Sequence, residues 1–266
     1  TEIYTLSLHD ALPILMMNIH TGFEWFDRLL PEGLPVPNSF LLSGPGGSGK
    51  PLIGNVITSA WLREGGSVIF MSLQYPDHSF IAAGLKNICN LDVHDYQEHT
   101  AFIELDASLE SMTDIEGNHF KANLVKPDVW DAALQRAIDM VSGGGPGILI
   151  FGSALNLLLF SPTYGNDILQ KVKLLFSEPQ PHTYVFSTST TAKADEILEL
   201  ETAAENLIMT WSEKATQKLF MKIEKMKGVP FEHEGIEVPF PPELLIEVKE
   251  IADHSRKRVI PQISKI

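Results

Sequence analysis

The chain is predicted to fold as an α/β domain, a mostly parallel twisted sheet flanked by helices, with antiparallel strands added at the C-terminal edge. Three observations carry that expectation. Short apolar runs alternate with helix-length stretches from residue 39 to about residue 204. Several of those runs, Ser-Val-Ile-Phe-Met-Ser at 67–72 and Ile-Leu-Ile-Phe-Gly at 148–152, are almost uniformly apolar, as strands buried on both faces must be. After residue 206 the texture changes to two neighbouring strand-like runs, 206–212 and 217–226, close enough in sequence to pair antiparallel.

Residues 21–38 read as a turn-rich lead-in with a short helix at 25–30, where Trp25, Phe26, Leu29 and Leu30 form a packing face. Strand 39–43 follows, then a glycine-rich loop, then helix 52–64, which Gly65-Gly66 stops. Strand 67–72, a helix at 77–89 and strand 101–106 come next. Residues 107–127 are polar and are expected to form a mobile excursion. Helix 128–142 opens after Lys126-Pro127 with Asp128 as its N-cap, and the glycine run 143–147 breaks it. Strand 148–152, helix 166–176, strand 183–188 and helix 193–204 complete the alternation. Beyond the paired strands, a Pro/Gly-rich stretch leads to a short strand, 244–248, and a C-terminal tail, 251–266. The domain is thus expected over 16–250. Residues 1–15 are set apart, because the stretch 5–14 looks like a translated sequencing-adapter oligonucleotide; the native chain is expected to start near Met16 or Met17.

A chain of 266 residues with 44% hydrophobic side chains suits one such domain with a short appendage. Its net charge of −14 argues against a broad electrostatic footprint for nucleic acid. A single cysteine, Cys89, excludes an internal disulfide and reads as a small buried apolar residue. No apolar run approaches a membrane span, and no basic segment precedes an apolar one as in a signal peptide, so a cytoplasmic location is expected.

The chemistry concentrates in Gly44-Pro45-Gly46-Gly47-Ser48-Gly49-Lys50-Pro51. Strand, glycine-rich loop and helix is the context in which G-x-x-x-x-G-K reads as a phosphate cradle. Glycines let successive N–H groups turn inward, the new helix adds its positive dipole end, and Lys50 can reach the outer phosphates. All eight residues are therefore expected to bind nucleotide. The usual next residue is Ser or Thr, whose hydroxyl holds Mg²⁺; here it is Pro51. Proline suits a first helical position, but it offers neither a hydroxyl nor an N–H. Losing one charge-assisted hydrogen bond of about 1.5–3 kcal/mol lowers affinity roughly 10- to 100-fold.

Two further stretches carry a resemblance. Residues 21–35 (Thr-Gly-Phe-Glu-Trp-Phe-Asp-Arg-Leu-Leu-Pro-Glu-Gly-Leu-Pro) resemble the lead-in of KaiC-like members of the RecA/RadA ATPase superfamily. Lys222-Ile223-Glu224-Lys225-Met226-Lys227-Gly228, followed by Val238-Pro239-Phe240, is similar to that family's closing strand and turn. The resemblance implies a RecA-like sheet, ATP as ligand, and assembly into a homo-oligomer, such as a hexameric ring, or with a partner protein. It also implies that Lys225 and Lys227, in place of the family's Lys-x-Arg, contact a neighbour's nucleotide in trans. Lysine there keeps the charge and loses the bidentate fork; a solvated strand face, with Lys222 beside them, is the plainer alternative.

The chain departs from the family where the chemistry sits. The acidic pair that activates water is matched by Gln74 and Tyr75, neither of which is a base near neutral pH. The carboxylate that closes the second strand motif is matched by Gly152. With Pro51, three contributors to metal and water activation are absent, so Mg²⁺ is left with few protein oxygens. No catalytic residue and no metal ligand is assigned. The expected function is ATP binding of a regulatory or assembly kind, with slow or absent hydrolysis. The alternatives are an atypical working ATPase or kinase, and a scaffold that binds no nucleotide. Asp106 at a strand end reads as a cap or loop carboxylate, and His94, Glu98 and His99 match no common zinc spacing. Arg256-Lys257-Arg258 reads as a solvated charge run that could touch an acidic neighbour.

Overall fold

The molecule, a computed structural model, is described over residues 17–74, 78–213, 216 and 218–266; the extension assigned to 1–15 and the candidate Tyr75 lie outside these. Its first elements are β1 (Met17–Ile19), α1 (Glu24–Asp27) and β2 (Leu34–Val36), with β1 and β2 paired antiparallel. Asp27 ties this lead-in together. Its carboxylate accepts from the Thr21 N–H (2.8 Å), the Thr21 hydroxyl (2.7 Å) and the Gly22 N–H (2.9 Å). Then come β3 (Ser39–Ser43), α2 (Lys50–Arg63), β4 (Ser67–Ser72), α3 (His78–Cys89) and β5 (Thr100–Leu105). A hairpin, β6 (Met112–Glu116) and β7 (His119–Ala122), precedes α4 (Pro127–Met140), β8 (Ile148–Gly152) and α5 (Gly165–Ser177). The chain closes with β9 (Thr183–Ser187), α6 (Ala194–Ala203), β10 (Leu207–Glu213), β11 (Lys218–Lys225), β12 (Ile236–Val238) and α7 (Pro242–Ile263).

Ten strands form one sheet in the order β12-β11-β10-β3-β9-β8-β4-β5-β7-β6. The seven from β10 to β7 are parallel, and the antiparallel pairs β10–β11, β11–β12 and β6–β7 lie at the two edges. The expected fold class holds. Strands β3, β4 and β9 are buried along their whole length, which is why they read as unbroken apolar runs. One core lies between the sheet and α2 and α3, the other between the sheet and α4, α5 and α6. Helix α2 is buried on nearly every side, so it lacks the one-sided pattern of a surface helix.

Several sequence expectations are corrected, and the first is local: α4 opens at Pro127 with Lys126 as its N-cap, so Asp128 lies in the first turn and is not the cap. Residues 107–127 are not an irregular excursion: Gly117, with φ +54°, and Asn118 make the turn of the β6–β7 hairpin, and β7 extends the sheet beside β5. Residues 244–248 are not a strand, and 251–266 are not a separate tail. Residues 244–248 and 251–263 belong to α7, which Pro242 opens at the first helical position and Glu243 favours in the first turn. Leu245 and Val248 bury in the α2 core, while Val259 and Ile263 bury in the α5 core. The helix therefore passes from one face of the sheet to the other, with its middle over the loop that follows β3.

Candidate functional site

The loop between β3 and α2 is shaped by positions no side chain can share. A Cβ on Gly44, which sits at φ +151°, would lie 2.1 Å from the Thr210 carbonyl oxygen, so β10 approaches the loop only because Gly44 is bare. Gly47 and Gly49 also take positive φ, at +77° and +61°, and Gly49 leads directly into α2. The N–H groups of Gly47, Ser48 and Gly49 enter none of the loop's internal backbone hydrogen bonds. With the α2 dipole behind them, these are the donors an anion nest would use.

Lys50 closes the turn from within. Its Nζ donates to the Gly44 carbonyl (2.9 Å), the Pro45 carbonyl (2.7 Å) and Ser48 Oγ (2.9 Å). Ser48 Oγ lies 2.7 Å from Thr210 Oγ1, which pins the loop to β10. Burial pushes the Lys50 ammonium down to about 7, and the Arg256 guanidinium adds to the shift. An anion arriving beside it would favour the charged form.

The cleft above the loop, about 40 Å³, brings the loop together with Gln74, Asn156, Ser189 and the α7 residues Lys249 and Arg256. Asn156 Oδ1 accepts from the Ser189 N–H at 3.0 Å, which fixes the wall opposite Lys50. Arg256 Nη1 is 3.5 Å, and Lys249 Cδ 3.0 Å, from where Cβ atoms on Gly46 and Gly47 would sit. Arg256 also pairs with Asp253, so the acidic neighbour raised from the sequence is one turn back on its own helix. Lys257 and Arg258 are exposed, as a solvated run should be. Lys249 and Arg256 were invisible as site residues, since only recognition of 242–263 as one helix would have placed them at i and i+7 on one face. A roomier cleft of about 550 Å³ lies elsewhere, between Trp25, Phe240 and the first turn of α7, and it carries no loop donor or lysine.

Of the departures, Gln74 is buried and lines the cleft. Gly152 ends β8, but its Cβ direction is blocked: a Cβ there would be 2.7 Å from Phe186 Cδ1. Phe186 is fully buried and packed edge-on against Trp130 and Phe176. Ser153 is the β8-end residue that shares a small cavity with Pro51. The donor set fits a phosphate anion. Gly152→Asp is expected to destabilise the fold by about 1–3 kcal/mol through overpacking alone, with the buried charge adding to it. Denaturant unfolding at neutral pH checks this, and an unchanged midpoint would show that Phe186 yields.

The closing strand places its lysines elsewhere. Lys225 Nζ donates to the carbonyls of Glu201 (2.8 Å), Thr202 (3.2 Å) and Ala204 (3.3 Å), neutralising the C-terminal end of α6. Lys227 Nζ is 2.7 Å from both carboxylate oxygens of Glu205. Both lysines are committed within the chain, so a contact in trans would first have to break these bonds. Asp106 accepts from the Ser108 N–H at 3.0 Å, a loop carboxylate as read. Cys89 is buried. His94 and Glu98 are exposed, while His99 Nδ1 lies 3.1 Å from Ser67 Oγ.

No protein-family model matches the chain, and no curated protein matches it. Among solved structures, a KaiC-like protein from the hyperthermophilic archaeon Pyrococcus horikoshii OT3 superposes with a TM-score of 0.64, covering 85% of this chain and 96% of that one. The fold is KaiC-like. At 14% identity the likeness is one of architecture. No helix among the described residues is long and apolar enough to cross a membrane.

Proposed function

We propose that this chain binds ATP through residues 44–51 and acts as a regulatory or assembly protein switched by occupancy, with slow or absent hydrolysis. The observation that carries the reading is the pairing of the loop N–H donors around Lys50 with a blocked position at Gly152. When bound, the nucleotide would supply the charge that the nest and the three basic groups Lys50, Lys249 and Arg256 are arranged to receive. The loop N–H groups orient the phosphates, Lys50 neutralises them, and α7 covers them from solvent. Gln74 can hold a water by hydrogen bonds but cannot take its proton at neutral pH. General-base help of about 10²- to 10⁴-fold is therefore missing.

Isothermal titration with ATP, with and without Mg²⁺, tests the reading. The expected result is saturable binding that Mg²⁺ changes little and that Lys50→Ala weakens at least about tenfold, the loss of one charge-assisted contact. Absence of binding favours the nucleotide-free scaffold; Lys50-dependent phosphate release at ordinary rates favours a working ATPase. Ring or partner assembly is part of the proposal, and sedimentation velocity with and without ATP reads it. A monomer under both conditions removes it.

A further inference from the structure

We propose a second ligand site, for a borderline divalent cation of the Zn²⁺ class, formed by His78, Glu104 and His119. The three donors come from three elements: the first residue of α3, the last but one of β5 and the first of β7. Their ligand atoms all lie within 4.8 Å of one another. His119 Nε2 is 2.7 Å from Glu104 Oε1, and their side chains are only 11% and 6% exposed. His78 stands face-to-edge with His119, ring centroids 4.6 Å apart. Its Nδ1 is shut off from solvent and has no hydrogen-bond partner among the described residues.

That orphan nitrogen makes the cluster more than a buried ion pair. A buried polar atom without a partner is destabilising, and Glu104 and His119 already satisfy each other. A cation bound by all three would remove the penalty. Two imidazoles and one carboxylate are the ligand set of open Zn²⁺ sites and exclude Mg²⁺ and Ca²⁺, which take oxygen. At bond lengths of 2.0–2.1 Å a tetrahedral ion holds its ligands about 3.3 Å apart. The histidine–glutamate pair, at 2.7 Å, would open by about 0.6 Å to admit the ion, and His78 at the α3 terminus would move inward to meet it. Phe102 packs against both imidazoles, with centroids at 5.3 and 6.1 Å, and stacks on Phe70 at 5.0 Å. This aromatic wall keeps water away and holds the rings near the carboxylate. Positions 78, 104 and 119 follow no sequence spacing: the pairing of β5 with β7 brings Glu104 and His119 together, and the start of α3 adds His78.

The full chain, stripped with a chelator, is titrated with Zn²⁺ by calorimetry and with Co²⁺ by visible absorption. The expected result is one equivalent bound, a d–d spectrum of a four- or five-coordinate nitrogen and oxygen site, and a higher melting temperature with Zn²⁺. His78→Gln is expected to weaken binding at least about tenfold, as loss of a ligand should, while the metal-free variant still unfolds cooperatively. His119→Ala is expected to abolish binding. Because it also strands Glu104 and can fail to fold, the deciding comparison is His78→Gln. Failure of the wild type to bind either ion overturns the site, as does His78→Gln binding as tightly as wild type or an octahedral, water-rich Co²⁺ spectrum.

Discussion

Raising the pH from 7 to 9 is expected to weaken ATP binding by about 50-fold, since only the ammonium form of Lys50 complements phosphate and its proton is lost above about 7. The sign follows from the free protein. Burial holds Lys50 near 7 against an ordinary value of 10.5, with Arg256 adding to the depression. A bound polyphosphate favours the ammonium and raises its affinity for the proton, so binding above pH 7 takes up a proton from buffer. Calorimetry in two buffers of different ionisation heat reads that uptake directly. The unliganded protein should move the other way. Between 7 and 10.5 the unfolded chain holds a proton on this lysine that the folded chain does not, so this group's contribution to stability rises with pH across the window. Lys50→Met should flatten both profiles, which separates Lys50 from the titration of ATP itself. A wild-type affinity that does not change from pH 7 to 9 would show that Lys50 keeps its charge in the free loop.

The parts of the fold that were legible in the sequence are those where one element decides its own pattern. Strands β3, β4, β8 and β9 are buried on both faces or nearly so, and they announce themselves as short apolar runs whatever surrounds them. Strand β6 is exposed along most of its length, so hydrophobicity says nothing about it; the legible signal was Gly117-Asn118 between two short runs, a hairpin turn. Helix α7 failed for a different reason. Leu244, Leu245 and Ile246 in succession look like a strand, and the charged stretch 249–258 hides the longer spacing. Yet Leu245, Val248, Ser255, Val259 and Ile263 are its buried face, a helical repeat that needs the whole 22 residues to be seen.

The site divides along the same line. Residues 44–51 are contiguous, and their geometry is local, so the loop could be read directly. The reason Gly152 stays a glycine could not, because Phe186 meets it only across the β8–β9 pairing. The engagement of Lys225 with the end of α6 was equally hidden. A lysine in a charged strand looks free until the helix terminus it neutralises is placed beside it.

Arg256→Ala is expected to weaken ATP binding by about 10- to 100-fold, the loss of a charge-assisted contact of roughly 1.5–3 kcal/mol. It should also shift the pH profile, because removing the guanidinium lifts one cause of the Lys50 depression; the fall in affinity should begin at higher pH than in the wild type. The two effects are separable: the first is a vertical displacement at pH 7, the second a horizontal one along the pH axis. Arg256 is half-buried and already paired with Asp253, so the substitution leaves a carboxylate unpaired, and Asp253→Asn in the same chain controls for that. Helix α7 can stand toward the loop in two ways. If it contributes cations to the bound phosphates, Arg256→Ala weakens binding. If its middle competes with the ligand for a cleft of about 40 Å³, the same substitution tightens it. Proximity favours the first, since Arg256 Nη1 comes within 3.5 Å of where a Cβ on Gly46 would sit, beside the loop N–H groups. Tighter binding by Arg256→Ala at every pH would instead make α7 a plug and place regulation in its displacement.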